Sequence, residues 1–456
     1  MITSNILNGK KHIHFIGIGG SGMYPLAQIL HSQGYFLTGS DNNETETLDA
    51  VRKMGINVFL GQSAENIEGA DLIVHTAAIM DDNPELIAAK ASSVPVLERS
   101  ELLGLVTTWY NNAICVSGTH GKTTTTSMLT QIFIESGVDL SCVIGGKLKS
   151  IGGSGRAGKS DILVCEACEF VDTFLKLSPD ISIILNIDED HLDYFKTLDN
   201  IINSFMKFSL KTTKQLIVNG DDVNTMRAID GITDKKITTF GFGEDNEYYS
   251  IINKTRGMQT DFSLFHNKEK VGDFTIFVPG VHNVLNATAA AAAALSCGVD
   301  VEGLALGLQT FGGAGRRFEK IATVNGVTIV DDYAHHPAEI KVTLEATKKL
   351  DFKRVWAVHQ PFTYSRTSLL LNDFAEVLKI ADKCVLTEIM GSREKNTYNI
   401  YSKDLSDKID GCVWFPTFDE VVDYVAENVE EGDLVITLGC GDVYKVAKKL
   451  ASKLAK

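Results

Sequence analysis

Two hydrophobic rhythms alternate along this chain. Short apolar runs, the mark of strands buried on both faces, are separated by stretches in which apolar residues recur every third or fourth position, the mark of helices with one buried side. "HIHFIGI" comes first, then a helix through Leu26 and Leu30, "YFLTGS", a helix from Leu48 to Met54, "DLIVHT", "VPVLE" and a helical stretch from Glu101 to Thr108. This is the rhythm of βαβ units and predicts a parallel sheet. A second series opens with "AICVSG", continues through a helix from Lys122, and adds "DILVCE", "ISIILNI" and "QLIVNG". Next, "EYYSIINKT", "DFSLFHN" and "DFTIFVP" follow one another without long helices, which predicts an antiparallel appendage. "NVLNATAAAAAAL" reads as a helix with its apolar face on Val284, Leu285 and Leu295. After "FGGAGRRFEK", rich in glycine and charge, a third series runs through "GVTIVDDYAHHP", "RVWAVHQ", "KCVLTEI", "CVWFP" and "DLVITLG". Three α/β domains in series are expected, with boundaries near residues 107 and 315.

Composition narrows the function. A chain of 456 residues exceeds one hydrophobic core. A net charge of -15 argues against nucleic acid as a partner, because no broad basic footprint is available. Anionic ligands must then be held by local devices. The eight cysteines are scattered, and the close pair Cys165 and Cys168 has no second pair to complete a zinc site, so reduced thiols are expected. No signal-peptide pattern and no apolar run of about 20 residues stand out, which points to a cytoplasmic protein without membrane attachment. The composition leaves a homo-oligomer open.

Chemistry concentrates in a few segments. "SGTHGKTTTTS" places Gly118, Thr119, His120, Gly121, Lys122, Thr123 and Thr124 between a strand and a helix. Such a turn directs backbone N–H groups at phosphate oxygens, while Lys122 adds charge and Thr123 offers a hydroxyl to Mg²⁺. It departs from the usual G-x-x-x-x-G-K-S/T loop in carrying Val116 at the first glycine position. "HFIGIGGSGM" contains a second glycine fingerprint, with Asp41 ending the next strand where a ribose-binding acid would stand. Read alone it suggests NAD, or a glycine turn needed only for close packing.

"CEACEFVDTF" and "NIDEDHLDYF" each follow a buried strand, bringing Glu166, Glu169, Asp188, Asp190 and His191 to the sheet edge that carries the phosphate loop. An acidic and imidazole cluster beside polyphosphate suits Mg²⁺, with Glu166 and His191 the first choices and Glu169 after them. The alternative is a solvated acidic loop. In the third series His335, His336 and Arg366 come to one sheet edge, expected to face the central domain, and "GRRF" supplies Arg316 and Arg317 at a hinge.

Together these motifs resemble the Mur ligase family over nearly the whole chain: "HFIGIGGSGM", "GTHGKTTTT", "EACE", "NIDEDHLDYF", "PGVHNVLNATAA", "GRRF", "DDYAHHP" and "HQPFTYSRT", in order. The resemblance implies a Rossmann-like UDP-sugar domain over 1–107, a central P-loop ATPase-like α/β domain with an antiparallel appendage over 108–315, and a Rossmann-like C-terminal α/β domain over 316–456. It also implies ATP-dependent joining of L-alanine to the lactyl carboxylate of UDP-N-acetylmuramate through an acyl phosphate, with domain closure excluding water. By the same resemblance, Gly19, Gly20, Ser21, Gly22, Met23, Ser40, Asp41, Thr76 and Arg99 hold the UDP-sugar. His282, Asn283, Asn286 and Asp331 join the phosphate loop in holding ATP, and Thr123, Glu166 and His191 hold Mg²⁺. Lys122 and Arg317 neutralise the transferred phosphoryl group, His335 or His336 attends the amine, and Arg366 holds a carboxylate or the acyl phosphate. Phe362 replaces a histidine common in the family's H-Q-P segment. Several sister ligases use a carbamylated lysine; Lys207 and Lys211 lie in that region, and a solvent-facing lysine is the expectation for both.

A family branch that adds a whole tripeptide to the same UDP-sugar carries Cys-Gly-Thr where this chain has Gly19-Gly20-Ser21, which favours L-alanine. A folate-type ligase of the superfamily lacks the N-terminal UDP domain. An NAD-dependent oxidoreductase with an added P-loop domain would explain both glycine loops but not the third-domain motifs. On the sequence alone, Lys122→Ala and His191→Ala are each expected to lower turnover by orders of magnitude while leaving the thermal midpoint nearly unchanged.

Overall fold

The computed structural model describes residues 6–392 and 394–455. Its first sheet contains β1 (His12–Ile16), β2 (Phe36–Asp41), β3 (Asn57–Leu60), β4 (Leu72–His75) and β5 (Val96–Glu98). Every pair is parallel, in the order β3-β2-β1-β4-β5. The connections change direction at β1, so a crevice opens beyond its carboxyl end.

The second sheet has ten strands: β6 (Asn112–Ser117), β7 (Ser141–Leu148), β8 (Gly153–Arg156), β9 (Ile162–Glu166), β10 (Ile181–Ile184), β11 (Gln215–Asn219), β12 (Lys236–Gly241), β13 (Tyr248–Arg256), β14 (Gln259–His266) and β15 (Glu269–Ile276). Their order is β15-β14-β13-β12-β11-β10-β6-β9-β7-β8. Pairing is parallel from β13 through β12, β11, β10, β6 and β9 to β7. Only two residues separate β13 from β14 and β14 from β15, a connection that neighbouring strands can make only as hairpins, so the expected antiparallel appendage is present. β8, which pairs antiparallel to β7, was not legible in the sequence, because "GGKLKSIGGSGR" offers no apolar run.

The third sheet contains β16 (Glu319–Val324), β17 (Val327–Asp332), β18 (Val355–His359), β19 (Lys383–Leu386), β20 (Val413–Trp414) and β21 (Leu434–Leu438), ordered β16-β17-β21-β18-β19-β20. All pairs are parallel except β16 with β17. The carboxyl ends of β17, β18 and β21 therefore lie along one edge.

By packing, the chain divides into two compact units. One runs to Asn253 and adds Asp261–Ile276 and Val281–Gly312; the other joins Lys254–Thr260 and Phe277–Gly280 to Gly313–Lys456. In the first unit the Val281–Ser296 helix differs from expectation. Ala287 and Ala289 to Ala294 are fully buried, while Leu285 and Leu295 are only half-buried. Small side chains allow this helix to pass close to its neighbours, so its buried surface is wider than the large apolar residues indicated. Among the described residues no helix is long and apolar enough to cross a membrane.

Candidate active site

Beyond β1 the chain turns through Gly17 to Gly22 into the Met23–Ser32 helix, with Gly22 at its N-cap. Gly17 N and Ile18 N donate to the Ser40 carbonyl at 2.8 and 3.0 Å, tying the loop to β2. Around it, Thr76 at the end of β4 abuts Gly17, and the Arg99 guanidinium lies beside Gly22, within 3.2 Å of where a Cβ would stand. A cation beside a helix N-terminus and its backbone N–H groups makes an anion site. Ser21 is exposed, and its carbonyl accepts from Ser154 Oγ at 2.9 Å.

Three residues expected to touch ligand are otherwise employed. Asp41 accepts from Gly19 N at 3.0 Å and Asn43 N at 3.2 Å, so its carboxylate shapes the loop instead of waiting for a ribose. The Ser40 hydroxyl is fully buried and donates to Glu85 at 2.7 Å. Met23 is 1% exposed and belongs to the core. Position at a strand end is visible in the sequence; which way the side chain points is not.

The phosphate loop leaves β6 through Gly118 (φ +136°) and Gly121 (φ +87°), both left-handed. A Cβ on Gly121 would stand 2.6 Å from Asn286 Oδ1, so a larger residue would push apart the loop and the Val281–Ser296 helix. Asn286 in turn donates to Asn283 Oδ1 at 3.1 Å, and His282 stands exposed on the first turn of that helix. From the next strand, Asn186 braces the loop: His120 N donates to its Oδ1 at 2.8 Å, Thr119 N to its carbonyl at 3.0 Å, and its Nδ2 returns to His120 O at 3.1 Å. Asp188 N adds a bond to Thr119 Oγ1 at 2.9 Å. Lys122 to Glu135 then form a helix whose N-terminus opens on the loop.

Lys122 Nζ donates to the carbonyls of Gly118 and Thr119 and pairs with Glu169 Oε2 at 2.9 Å. Burial works against its charge, but the Glu169 carboxylate, itself buried, together with Cys168 and Glu166 outweighs burial and raises the lysine above its ordinary range. Glu169 is thus the counter-charge of Lys122. Thr123 Oγ1 donates to Glu166 Oε2 at 3.1 Å, and the other Glu166 oxygen accepts from Gly145 N. Thr123 and Glu166 present two hard oxygen donors at the helix mouth, a set that fits Mg²⁺, which fills its remaining positions with water and phosphate oxygens. His191 (φ +52°) heads the Leu192–Phe195 helix, its ring centroid 4.6 Å from that of Phe170. Lys207 and Lys211 are exposed on the Leu198–Lys211 helix.

In the second unit a separate cluster occupies the shared edge of β17, β18 and β21. Arg316 is fully engaged: Nε donates to Asp331 Oδ2 at 2.9 Å, Nη1 to Cys440 O at 3.3 Å and Nη2 to Gly439 O, with the guanidinium over the rings of Tyr333 and Tyr444. Asp331, expected to bind ATP, is fully buried and also accepts from Thr437 Oγ1, so its carboxylate is committed inside the domain. Arg317 lies over Tyr333 at 5.3 Å. Burial pushes Asp332 up to about 6 against the pull of Arg317, while Phe318 N and Ala334 N donate to it at 2.7 and 2.8 Å.

The two adjacent histidines separate in role. His336 caps the Pro337–Lys348 helix, its Nδ1 accepting from Ala338 N at 3.3 Å and its own N–H meeting Glu339. His335 Nδ1 donates to the Tyr333 carbonyl at 3.0 Å, which leaves Nε2 as the basic nitrogen. Burial lowers its affinity for protons; Glu339 opposes this, and Arg366 and Arg317 add to it. Nearby, three buried atoms have no hydrogen-bond partner among the described residues: His359 Nε2, Gln360 Oε1 and Arg366 Nη1. The sequence had singled out only Arg366 of these. His359 is fully buried, its Nδ1 3.0 Å from Leu438 O, and burial lowers it to about 4. Phe362 makes an isolated bridge to Met390.

Comparison with known proteins places this geometry among relatives. Residues 12–109 match the model of the Mur ligase family catalytic domain, 116–294 the Mur ligase middle domain, and 316–441 the Mur ligase glutamate ligase domain. The UDP-N-acetylmuramate–L-alanine ligase of Caldanaerobacter subterraneus is 45% identical, with 98% of each chain covered. The protein of the same name from Lachnospira eligens is 46% identical over 97% of this chain and 98% of its own. A crystal structure of the UDP-N-acetylmuramate–alanine ligase MurC from Thermotoga maritima superposes with a TM-score of 0.83 at 28% identity, covering 97% of this chain and 99% of the other. The chain belongs to the Mur ligase family.

Proposed function

We propose that this protein joins L-alanine to the lactyl carboxylate of UDP-N-acetylmuramate, with ATP cleaved to ADP and phosphate. The observation that carries the reading is the 45% identity, over 98% of the chain, to an L-alanine ligase acting on that UDP-sugar. The local chemistry supports it. An anion-binding glycine loop beside Arg99 and a phosphate loop with Lys122 belong to one compact unit, which suits a UDP-sugar and a nucleoside triphosphate.

In this reading Gly118 to Thr124 wrap the triphosphate, with His282, Asn283 and Asn286 toward the adenine, while Gly19 to Gly22, Thr76 and Arg99 anchor the UDP diphosphate. Thr123 and Glu166, with His191, hold Mg²⁺, which supplies positive charge against the phosphate oxygens. A lactyl carboxylate oxygen attacks the γ-phosphorus and ADP leaves, converting a poor acyl donor into an acyl phosphate. Lys122 and Arg317 stabilise charge on the transferred group. The alanine amine then attacks the acyl carbon, phosphate leaves, and His335 Nε2 accepts the amine proton. A base held neutral by burial, as His335 is, has that lone pair free near neutral pH. Arg366, whose Nη1 has no hydrogen-bond partner among the described residues, holds the alanine carboxylate.

Labelling the lactyl carboxylate with ¹⁸O tests the intermediate. One labelled oxygen per turnover is expected in the released phosphate, together with a product heavier than UDP-N-acetylmuramate by one alanyl residue. Unlabelled phosphate accompanying that product would rule out the acyl phosphate.

A further inference from the structure

We infer that Phe170 is a positioning residue for His191, holding the imidazole by ring contact where a hydrogen bond would ordinarily do so. The inference rests on the reading of His191 as a Mg²⁺ ligand. A metal-binding histidine is commonly oriented by a carboxylate or carbonyl on its second nitrogen. Here the Asp190 carboxylate lies 3.7 Å from Nδ1, beyond hydrogen-bond reach, and it accepts instead from the His191 backbone N–H at 2.7 Å. The ring of Phe170 stands 4.6 Å from the imidazole, tilted by 47°.

The backbone around Phe170 is built to keep the ring there. Glu169, one residue earlier, is buried and paired with Lys122, whereas Phe170 is 40% exposed. Val171 and Asp172 then take left-handed conformations at φ +53° and +57°, a costly choice for a β-branched valine. The reversal is pinned at Asp172. Its N–H donates to Glu169 O at 2.9 Å, and its carboxylate accepts from Tyr194 Oη at 2.7 Å and from Ser204 Oγ. Tyr194 lies on the short helix that His191 heads, and its own N–H donates to His191 O at 2.9 Å. The loop carrying Phe170 and the segment carrying His191 are thereby fastened to each other, with the two rings between them. Phe170 also meets the Tyr194 ring edge-on at 6.5 Å, so the ring is held on the His191 side of the turn.

The test uses Mn²⁺ as probe, titrated into the full-length protein with saturating ADP and followed through the electron paramagnetic resonance signal of free Mn²⁺. Phe170→Ala is expected to weaken Mn²⁺ binding by about tenfold. Metal-free ADP affinity should stay within about twofold of native, and Phe170→Tyr should recover native Mn²⁺ binding to the same margin. In the His191→Ala background, Phe170→Ala should add nothing. A Phe170→Ala shift below about twofold, a loss of metal-free ADP binding, or a full additional effect in the His191→Ala background would each overturn the inference while leaving His191 as a ligand. Unchanged Mn²⁺ binding in His191→Ala would overturn the ligand reading itself, and the inference with it.

Discussion

Lys122 serves the fold as well as the phosphate loop. With the Glu169 side chain 3% exposed and that of Lys122 16% exposed, removing the ammonium strands a buried carboxylate. Breaking such a pair costs about 3 kcal/mol. Lys122→Ala is therefore expected to lower the thermal midpoint as well as turnover, contrary to the expectation from sequence alone. Lys122→Met with Glu169→Gln should recover most of the lost stability and none of the activity; calorimetry beside a turnover assay checks both. The sequence placed Lys122, Thr123, Glu166 and His191 correctly at strand ends and helix starts. Which carboxylate faced which cation was beyond it, because Glu166 and Glu169 both satisfy the spacing.

Two buried groups at the edge of the third sheet titrate in opposite senses. His359 drops from 6.5 to about 4, so its stabilising contribution is complete above pH 6.5 and is lost as pH falls toward 4. Asp332 rises from 3.8 to about 6, so its contribution is complete below pH 4 and is lost as pH climbs through 6. Each is worth about 3 kcal/mol across its window, and between about pH 4 and 6 they offset. His359→Gln should make stability rise on acidification relative to native over that range, and Asp332→Asn should make it fall. Denaturant midpoints measured at half-unit pH intervals read both slopes.

Among the elements, caps and close approaches decide what can vary. His336 occupies an N-cap, a position that asparagine fills as well or better. His336→Asn is expected to keep stability and turnover near native, while His335→Asn, which removes the free Nε2, should lower kcat by about a hundredfold. Steady-state kinetics on the two variants, alongside thermal melts, separates them. Gly121→Ala should cost both stability and nucleotide binding, since its Cβ would meet Asn286 Oδ1 at 2.6 Å on a left-handed backbone. Elements with nearly continuous apolar runs, such as "ISIILNI" and "DLVITLG", were legible because burial on both faces leaves few polar positions, Ser182 and Thr437 being buried exceptions. β8 and the edge strand β16 were not, because glycine and alternating exposure erase that pattern. The alanine helix was legible as a helix, but its buried face was not, since alanine carries little directional signal.

In the proposed reading the molecule holds anionic ligands despite its net charge of -15 by local devices, one glycine turn at a helix N-terminus beside Arg99 and another beside Lys122. Three series of βαβ units are readable from periodicity, and the order of family motifs along the chain by itself points to ligase chemistry. Coupling among sites was not readable, because it depends on contacts between residues far apart in sequence, such as Lys122 with Glu169 and Phe170 with His191. The most direct test of the function is phosphate release from ATP by purified protein with Mg²⁺ and UDP-N-acetylmuramate, compared with L-alanine, with a tripeptide, and with neither. Release that depends on L-alanine and matches the alanylated product mole for mole is predicted; release independent of L-alanine, or supported by the tripeptide in its place, would contradict it.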